Sequence, residues 1–534
     1  MRGGSYAPVQ TVGIRTMPQS RLLVLGFDSM DVELVRRWAA AGYLPTFRRL
    51  FESAAWTDYI HPPEHLTTTL WTTINTGLGP LRHDFSFSMR YCSDSYRMRM
   101  SRADDIKDEF FWEWFARSGR RIVLADATLS IPRAAHGGKQ IAGWGMHDLP
   151  LNRSSVPKGL LRDLSARFGA HPVPICWDFS TETHSLARLR SGLLTGIERR
   201  TAILKSLILG GGWDLFYGDY SEPHCAGHLM WHLEDETHPR HSREQLDTVG
   251  HAMRDIYAAI DHSIGELLMC AGDDTISVAF FSHGMGPNYH AEHLFPRFVS
   301  RFNRRWQGGN SAEGPGDVDG GWLDSMWQRS VGRAPLWWRH SVRQRLPASL
   351  RAWITSKRQQ NPRQWRLMPA FSLPSDVHSA LRINLAGRES EGQIQFGHEY
   401  RRYLDAFTEQ VWQLTNADTG KPAVERIFRA DQQVDPVKIG SAPDLIVWWT
   451  RSEPFRAIRS ATFGTIGGEA AARRTGEHMM RGMFLISHPR AKRGRHAVEG
   501  MSPPDIPATL CDLAGIQPGI TLDGTSRRRD LLVE

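Results

Sequence analysis

Polar residues that could bind a metal ion stand at the ends of several apolar runs in this sequence of 534 residues. Asp28 closes the run RLLVLGFD, where a carboxylate is costly to bury unless a cation or a helix N-terminus pairs with it. His224 and His228 follow the run WDLFYGD, and their i, i+4 spacing would let two imidazoles on one helix face reach a single cation. His283 closes the run TISVAFFSH, and His478 precedes a late apolar run. One such histidine alone is more often structural, but the group as a whole indicates a metal site.

A threonine cluster supplies candidate nucleophiles. It begins at Thr67, two residues after the segment His61-Pro-Pro-Glu-His65, and ends at Thr76-Gly77. The pattern is typical of a helix N-terminus, whose backbone N–H groups and dipole favour an anion. A hydroxyl in that position becomes a nucleophile where a metal or a base lowers its pKa. Taken alone the pattern is weak evidence, because Thr-rich caps and turns are common.

Alternating strands and helices must position these residues. Apolar, β-rich runs predict buried parallel strands at 21–28, 121–126, 213–219, 275–283, 444–449 and 482–488. Amphipathic helical patterns lie between them, for example over 247–270. The alternation predicts an α/β fold, a doubly wound and mostly parallel sheet flanked by helices, in which ligands bind at the carboxyl ends of the strands.

One segment breaks this alternation and is predicted to be an insertion. Residues 302–368 hold a Gly-rich stretch followed by a stretch rich in Trp and Arg. We therefore predict a flexible N-terminal tail over 1–20, a metal-binding core made of 21–301 and 369–534, and an inserted loop and cap over 302–368.

The basic charge of the chain is concentrated near this insertion. The formal net charge is +8, yet 297–366 alone carries thirteen Arg and one Lys against four acidic residues, a net of +10, which leaves −2 for the remainder. Residues 322–366 could contact nucleic acid or an anionic membrane surface. We favour a cap instead, whose tryptophans pack on the core and whose arginines are solvated, because this stretch has no nucleic-acid fold signature. Arginines in a lid above a metal site would also attract anions.

Composition excludes several classes of protein. A 41% hydrophobic and 23% charged chain predicts a folded core rather than global disorder. No apolar run reaches the roughly 18 residues that a transmembrane helix needs, and residues 1–20 lack the apolar core of a secretory signal. The five cysteines are scattered and predict no disulfide framework, so we expect a cytoplasmic protein.

The order of the motifs resembles that of the alkaline phosphatase superfamily, in particular its type I phosphodiesterase/nucleotide pyrophosphatase branch. The resemblance extends over about 21–524, apart from the insertion. The matching residues are Asp28, Thr67 with Thr76-Gly77 nine residues later, Pro80-Leu-Arg-His83, Glu222-Pro-His-Cys-Ala-Gly-His228, Phe281-Ser-His-Gly-Met285, His478, and the closing segments 504–516 and 522–524.

The resemblance implies a two-metal hydrolase of phosphate esters. One divalent cation would be held by His224, His228 and His478. The other would be held by Asp28, His283 and the oxygen of Thr67, which would attack phosphorus and form a phosphothreonine that water then hydrolyses. The implied substrate is a small anionic molecule that contains phosphate. The implied cofactor is one or two divalent cations per chain, with zinc preferred over iron and manganese.

The chain departs from the family pattern at two ligand positions, where His224 and Ser282 replace aspartates. The first site becomes a set of three imidazoles, which suits zinc but also iron, copper or nickel. The second site loses a ligand, so it would be weak, would recruit Glu222 or His65, or would be empty. Cys225 lies between two candidate ligands, but on a helix it would point away from them, and we do not include it.

Two further residues are auxiliary candidates. Ser88 stands where counting places the phosphate-contacting Asn of the family, and His293 follows the His283 motif closely enough to reach a substrate. The leading prediction is a phosphodiesterase or nucleotide pyrophosphatase. The alternatives are a transferase or mutase that passes the group from Thr67 to an acceptor other than water, and a repurposed metal site with different chemistry or with none.

Overall fold

A computed structural model describes residues 21–533 of the protein, except 87–88, 103–104, 135–136, 146–152, 174–175, 310–361, 376 and 469–473. In chain order the strands are β1 (Arg21–Phe27), β2 (Ala55–Ile60), β3 (Met89–Cys92), β4 (Arg97–Met100), β5 (Ile122–Ala125), β6 (Lys139–Ala142), β7 (Ser154–Val156), β8 (Leu215–Tyr220), β9 (Thr275–Phe281), β10 (Gly284–Pro287), β11 (Ala370–Leu373), β12 (Ser379–Ile383), β13 (Thr415–Asn416), β14 (Val424–Arg429), β15 (Leu445–Trp449), β16 (Ala457–Ser460), β17 (Gly464–Gly467), β18 (Gly476–Met479), β19 (Arg481–Ser487) and β20 (Gly494–Arg495).

The helices lie mostly between the strands of the first half of the chain. They are α1 (Val32–Ala40), α2 (Pro45–Ser53), α3 (Thr67–Thr76), α4 (Pro80–His83), α5 (Phe111–Arg117), α6 (Leu160–Phe168), α7 (Thr183–Leu209), α8 (Glu222–Glu234), α9 (Arg243–Val249), α10 (Ala252–Ala271) and α11 (Phe295–Trp306). Four later helices are Pro362–Trp365, His398–Trp412, Asp505–Ala514 and Arg528–Leu531.

The central sheet has nine strands in the order β20-β2-β19-β9-β1-β8-β5-β6-β7. β1 pairs in parallel with β8 on one side and β9 on the other, and β5 pairs in parallel with β8 and β6. Helices cover both faces, so the predicted α/β fold with a mostly parallel sheet is confirmed. The strand β1 shows the two faces directly, because Leu23 and Leu25 pack into one apolar cluster while Leu22 and Val24 pack into another.

Two of the predicted strands form but are not parallel. β19 lies in the central sheet and pairs antiparallel with both β2 and β9. β15 lies in a separate sheet of four antiparallel strands, in the order β11-β12-β15-β14. An apolar run predicts burial on both faces of a strand, but its direction depends on the connection that precedes it, which the pattern does not reveal.

The second sheet supports the threonine-rich helix. Leu66 and Leu70, at the start of α3, pack with Ile446 and Trp448 of β15. The indole nitrogen of Trp448 also donates a hydrogen bond to the Pro63 carbonyl at 3.0 Å. The Pro-Pro bend and the first turn of α3 are therefore fixed from outside the central sheet.

Most of the predicted insertion lies outside the described residues. The helix α11 continues through the expected boundary at 302 and ends at Trp306, and Phe302 packs with the second sheet and with the helix His398–Trp412. The extent of the insertion, the tail over 1–20 and the Trp/Arg-rich cap stay predictions.

Candidate metal centre

Three neighbouring parallel strands bring the predicted site residues to one edge of the sheet. Phe27 of β1 is paired with Tyr220 of β8 and with Phe281 of β9, so the residues that follow these strands emerge side by side. Asp28 follows the middle strand, Ser282 and His283 follow one neighbour, and α8 begins two residues after the other. This is the edge at which a doubly wound sheet places its ligands.

Three of the predicted ligands converge in what we call the three-histidine centre, formed by His224, His228 and His478. One nitrogen from each ring lies within 4.8 Å of those from the other two, and all three side chains are buried. The Nε2 atoms of His224 and His228 are only 3.0 Å apart. The ring centroids of His228 and His478 are 4.7 Å apart. The histidines of α8 and the histidine of the distant β18 therefore lie together.

Close backbone packing makes this meeting possible. A Cβ at Gly476 would lie 2.2 Å from the Gly227 carbonyl oxygen of α8, which no real side chain tolerates. β18 also pairs antiparallel with β10, in a register that sets His478 opposite Met285. The absence of a side chain at Gly476 therefore lets the helix and the strand approach closely enough for their histidines to share a ligand.

The surroundings of His228 set its binding nitrogen. Its Nδ1 lies 3.0 Å from the Gly476 carbonyl oxygen, which can only accept a hydrogen bond, so Nδ1 carries the proton and Nε2 presents its lone pair to the centre. Glu477 Oε1 lies 3.4 Å from the same Nδ1 and 3.6 Å from Nδ1 of His478. The carboxylate of Glu477 thus lies close to both of these ligands, and Arg474 pairs with it at 3.1 Å.

Burial keeps His228 and His478 neutral. It lowers the pKa of His228 well below the ordinary value, with Arg474 and His224 adding to the effect. Burial and the neighbouring His283, His228 and His224 rings lower the pKa of His478 in the same way. A neutral imidazole is the form that binds a metal, and neither nitrogen of His478 has a hydrogen-bond partner among the described residues. The three residues therefore fit a cation that prefers nitrogen ligands, such as zinc.

Asp28 and His283 come together beside this centre, with Oδ1 of the first 3.8 Å from Nε2 of the second. Each ring nitrogen of His283 is hydrogen-bonded to a serine hydroxyl. Ser29 Oγ lies 2.9 Å from Nε2, and Ser282 Oγ lies 2.9 Å from Nδ1. Burial lowers the pKa of His283 to about 3. Within the described part of the chain no other His, Cys, Asp or Glu joins this pair in a compact ligand group, so the predicted second set lacks the carboxylate that Ser282 replaces.

Thr67 is the first residue of α3, and its side chain is buried. Trp71, one turn later, donates a hydrogen bond from Nε1 to Oδ1 of Asp28 at 3.3 Å. Residues i and i+4 of a helix lie on the same face, so Thr67 is on the face that is turned toward Asp28. Burial raises the pKa of Asp28, although the His224 ring and the Trp71 indole act in the opposite direction.

The Thr-Gly and Pro-x-x-His motifs have structural roles here. Gly77 ends α3 in the left-handed conformation with φ +71°, where a glycine carries no steric penalty. Nε2 of His83 lies 3.1 Å from Oγ1 of Thr73, and its Nδ1 accepts the Phe85 N–H. These contacts set the position of α3 rather than supply ligands.

The auxiliary candidates have different locations. Glu222 is fully buried, and its Oε1 lies 2.8 Å from Nε of Arg200 and 3.2 Å from Nε2 of His171. His293 lies in a short 3₁₀ turn, with its ring centroid 6.5 Å from that of His290. His65 is buried and burial lowers its pKa to about 3. Ser88 lies outside the described residues.

Sequence reasoning missed three features of the site. Arg200 is a buried cation on α7 that pairs with Asp126 at 3.1 Å as well as with Glu222. His61, after β2, is buried beside the Ser282 backbone. Cys225 lies with Cys176 near His224, an arrangement that only the tertiary structure reveals. A helical pattern with one basic residue on its apolar face was the sole sequence signal for Arg200.

No helix among the described residues is long and apolar enough to cross a membrane.

Comparison with known proteins agrees with this architecture. The chain matches the family profile of type I phosphodiesterases/nucleotide pyrophosphatases over residues 22–379, about two thirds of its length. No curated protein matches it in sequence.

Solved structures similar to this chain include an inactive form of murine ectonucleotide pyrophosphatase/phosphodiesterase 5 in complex with AMP, with 12% identity, a TM-score of 0.48 and coverage of 96% of this chain and 100% of that one. Phosphonoacetate hydrolase from Sinorhizobium meliloti 1021 in complex with phosphonoformate has 11% identity, a TM-score of 0.48 and coverage of 92% and 95%. Human ectonucleotide pyrophosphatase/phosphodiesterase 5 has 12% identity, a TM-score of 0.46 and coverage of 96% and 99%.

The fold and the candidate metal centre define an enzyme of the alkaline phosphatase superfamily. Within that superfamily the chain belongs to the type I phosphodiesterase/nucleotide pyrophosphatase family, whose members depend on divalent metals.

Proposed function

We propose that this protein hydrolyses phosphate esters, with phosphodiesters and nucleotide pyrophosphate bonds as the leading substrates and Thr67 as the nucleophile. One observation carries the proposal. Three buried histidines converge beside a buried aspartate toward which the first turn of a threonine-rich helix is turned. Together these features supply a cation, a hydroxyl and a helix N-terminus at one edge of the sheet.

The residues of the chain would orient the substrate. The N-terminus of α3, with its backbone N–H groups and helix dipole, favours the anionic phosphoryl oxygens that arrive there. Trp71 holds the helix face against Asp28, which sets the direction of Thr67. Bound divalent cations would neutralise the non-bridging oxygens and lower the pKa of a nearby hydroxyl.

The reaction proposed for Thr67 proceeds in two displacements. Its oxygen forms a bond to phosphorus as the bond from phosphorus to the leaving alcohol or phosphate breaks, and the hydroxyl proton is lost to solvent. Water then attacks the phosphothreonine, the Thr67–phosphorus bond breaks, and a proton returns to the threonine oxygen. Each step exchanges one oxygen on phosphorus for another.

The ligand sets lead us to propose one firmly held cation, zinc, at the three-histidine centre. That set is complete, whereas Asp28 and His283 lack a third protein ligand of matching type in the described residues. Replacing two carboxylates by neutral groups also leaves the site less negative. We therefore expect a preference for more highly charged substrates, such as a pyrophosphate over a simple diester.

Turnover of bis-p-nitrophenyl phosphate by purified protein tests the proposal, with the metal content of the same samples measured by elemental analysis. Thr67→Ala should abolish turnover and retain the metal. Thr68→Ala is the matched control, because its hydroxyl only accepts a hydrogen bond from Ser86 at 2.9 Å and should not be needed. Equal turnover in Thr67→Ala and wild type, or a metal-free wild type, would refute the proposal.

A further inference from the structure

A second group of metal-binding atoms lies next to the three-histidine centre. It consists of Cys176, Cys225 and His224. One ligand atom from each of the three lies within 4.8 Å of the others. All three side chains are at least 97% buried, and neither cysteine is in a disulfide.

Two separate elements create this group. Cys225 follows His224 in α8, and Cys176 lies in the single 3₁₀ turn Cys176–Asp178 that precedes α7 in the chain. Cys225 and His224 are neighbours on a helix and so differ by about 100° in direction, which is why the cysteine does not enter the three-histidine centre. The turn at Cys176 brings the second thiol to the side that Cys225 faces.

His224 can serve both groups because an imidazole has two nitrogens on different edges of its ring. Its Nε2 lies 3.0 Å from Nε2 of His228 and is therefore turned to the three-histidine centre. Its Nδ1 is the atom on the other edge of the ring. One ring can thus bind one cation on each side.

Charge favours a divalent cation at the thiols. Two thiolates and one neutral imidazole exactly offset the charge of one M²⁺, so the filled site is neutral in a place where a net buried charge is costly. Thiolate sulfur with imidazole nitrogen is a ligand set that zinc prefers, while magnesium, calcium and manganese prefer oxygen.

We propose that Cys176, Cys225 and His224 form a second zinc site, of thiolate type, beside the three-histidine centre. Binding of one Zn²⁺ by the two thiols releases two protons and involves no oxidation. The bound cation ties the turn at Cys176 to α8 and holds the His224 ring in the direction that the three-histidine centre requires. This site goes beyond the proposed hydrolysis and does not rest on it.

X-ray absorption at the zinc edge of the wild-type protein loaded with zinc tests the proposal without any substitution. Zn–S scattering at about 2.3 Å is expected, together with Zn–N scattering at about 2.0–2.1 Å. A zinc-loaded protein with nitrogen and oxygen neighbours alone would overturn the proposal. The measurement reads no turnover, so the failure of this proposal and the failure of the proposed hydrolysis are distinguishable.

Cobalt substitution assigns the sulfur to residues. Thiolate-to-cobalt charge transfer in the near ultraviolet is expected in wild type and should fall by at least half in Cys176→Ser. Cys270→Ser is the matched control, since this half-buried cysteine of α10 is not in the group, and it should keep the full band. A band that is unchanged in Cys176→Ser would overturn the assignment. His478→Ala removes only the three-histidine centre and should keep both the band and one zinc per chain.

Discussion

Single residues determine the charge of this metal centre. Three imidazoles that bind a cation as neutral ligands cancel none of its charge. The carboxylate of Glu477 lies 3.4 Å from Nδ1 of His228 and 3.6 Å from Nδ1 of His478. His224 removes a negative charge from the centre, because the family pattern that this sequence resembles has an aspartate at that position. A less compensated cation attracts anionic ligands more strongly, which is consistent with a phosphate-containing substrate.

His228→Ala should remove the cation from the three-histidine centre. The loss of a direct ligand is expected to weaken zinc binding by more than the roughly 10–100-fold that removal of an outer contact costs. Titration with a competing chelator measures the affinity.

His232→Ala is the matched control for that experiment. His232 lies one turn further along α8, is equally buried, and has ring nitrogens that lie 3.0 Å from Thr475 Oγ1 and from Gln245 Oε1. Its loss should leave zinc affinity within a few fold of wild type. Similar losses in both variants would mean that α8 had been disturbed rather than a ligand removed.

The sequence predicted some site residues better than others. His224 and His228 are four residues apart on one helix, and Asp28 and His283 close apolar strands, so local patterns suffice to select them. His478 lies 250 residues after His228 and was selected through a resemblance of motif order. Arg200, His61 and Cys176 reach the site through tertiary contacts alone, and no local spacing marks them.

At the scale of elements, a buried ionic network anchors the start of α8. Arg200 of α7 is 2% exposed and binds Glu222, the first residue of α8, and Asp126, which follows β5. Burial opposes ionisation of Glu222, but Arg200 and His171 outweigh it and hold the pKa of Glu222 below its ordinary value. The helix that carries two metal ligands is thereby fixed to the sheet.

Arg200→Leu should therefore destabilise the protein by about 3–5 kcal/mol, since it leaves two carboxylates buried without their cation. Urea denaturation measures the change. Arg199→Leu, next to it on α7, loses only an exposed hydrogen bond to the Ala170 carbonyl and should change the free energy of unfolding by about 0.5 kcal/mol or less. Equal effects in the two variants would contradict the assigned role of Arg200.

The second sheet contains a comparable ion pair that should give it a pH dependence. Burial opposes ionisation of Asp444, but Arg388, at 2.7 Å, outweighs it and lowers the pKa of Asp444. A carboxyl with a lowered pKa in the folded state stabilises the fold above its ordinary pKa, and this contribution disappears as the pH falls through the lowered value.

Asp444→Asn should consequently cost the most stability near neutral pH, and the difference from wild type should shrink below about pH 4. Urea denaturation at several pH values measures this difference. Asp435→Asn is the control, because that exposed carboxylate only accepts a hydrogen bond from the Val437 N–H. A difference between wild type and Asp444→Asn that is constant with pH would contradict the role given to the ion pair.

Elements were predicted from the sequence where a periodic pattern was strong. The apolar runs at β1, β5, β8 and β9 are parallel strands as predicted, since each is followed by a helical crossover or enters from one. β15 and β19 carry the same kind of run, yet they pair antiparallel. Strand direction depends on partners that are far away in the sequence, so composition alone could not distinguish the two cases.

At the scale of the whole molecule, the three-histidine centre joins parts of the chain that are far apart in sequence. His224 and His228 come from α8 and His478 comes from β18, so a bound cation connects them only in the folded state. A ligand that binds the folded but not the unfolded chain stabilises it by about 2.7 kcal/mol at a free concentration one hundred times its Kd.

Addition of zinc to metal-free protein should thus raise Tm, and a chelator should reverse the change. Differential scanning calorimetry measures both. Thr67→Ala should respond as wild type does, whereas His478→Ala should respond less because the three-histidine centre is missing. A response of wild-type size in His478→Ala would show that zinc stabilises the fold elsewhere.

We propose that Thr67 forms the covalent intermediate, and mass spectrometry of protein quenched during turnover of bis-p-nitrophenyl phosphate is the decisive measurement. A p-nitrophenyl phosphoryl adduct is expected on the peptide that contains Thr67, formed with release of one p-nitrophenolate and absent in Thr67→Ala. Turnover in which that peptide stays unmodified, or an adduct at another residue, would contradict it.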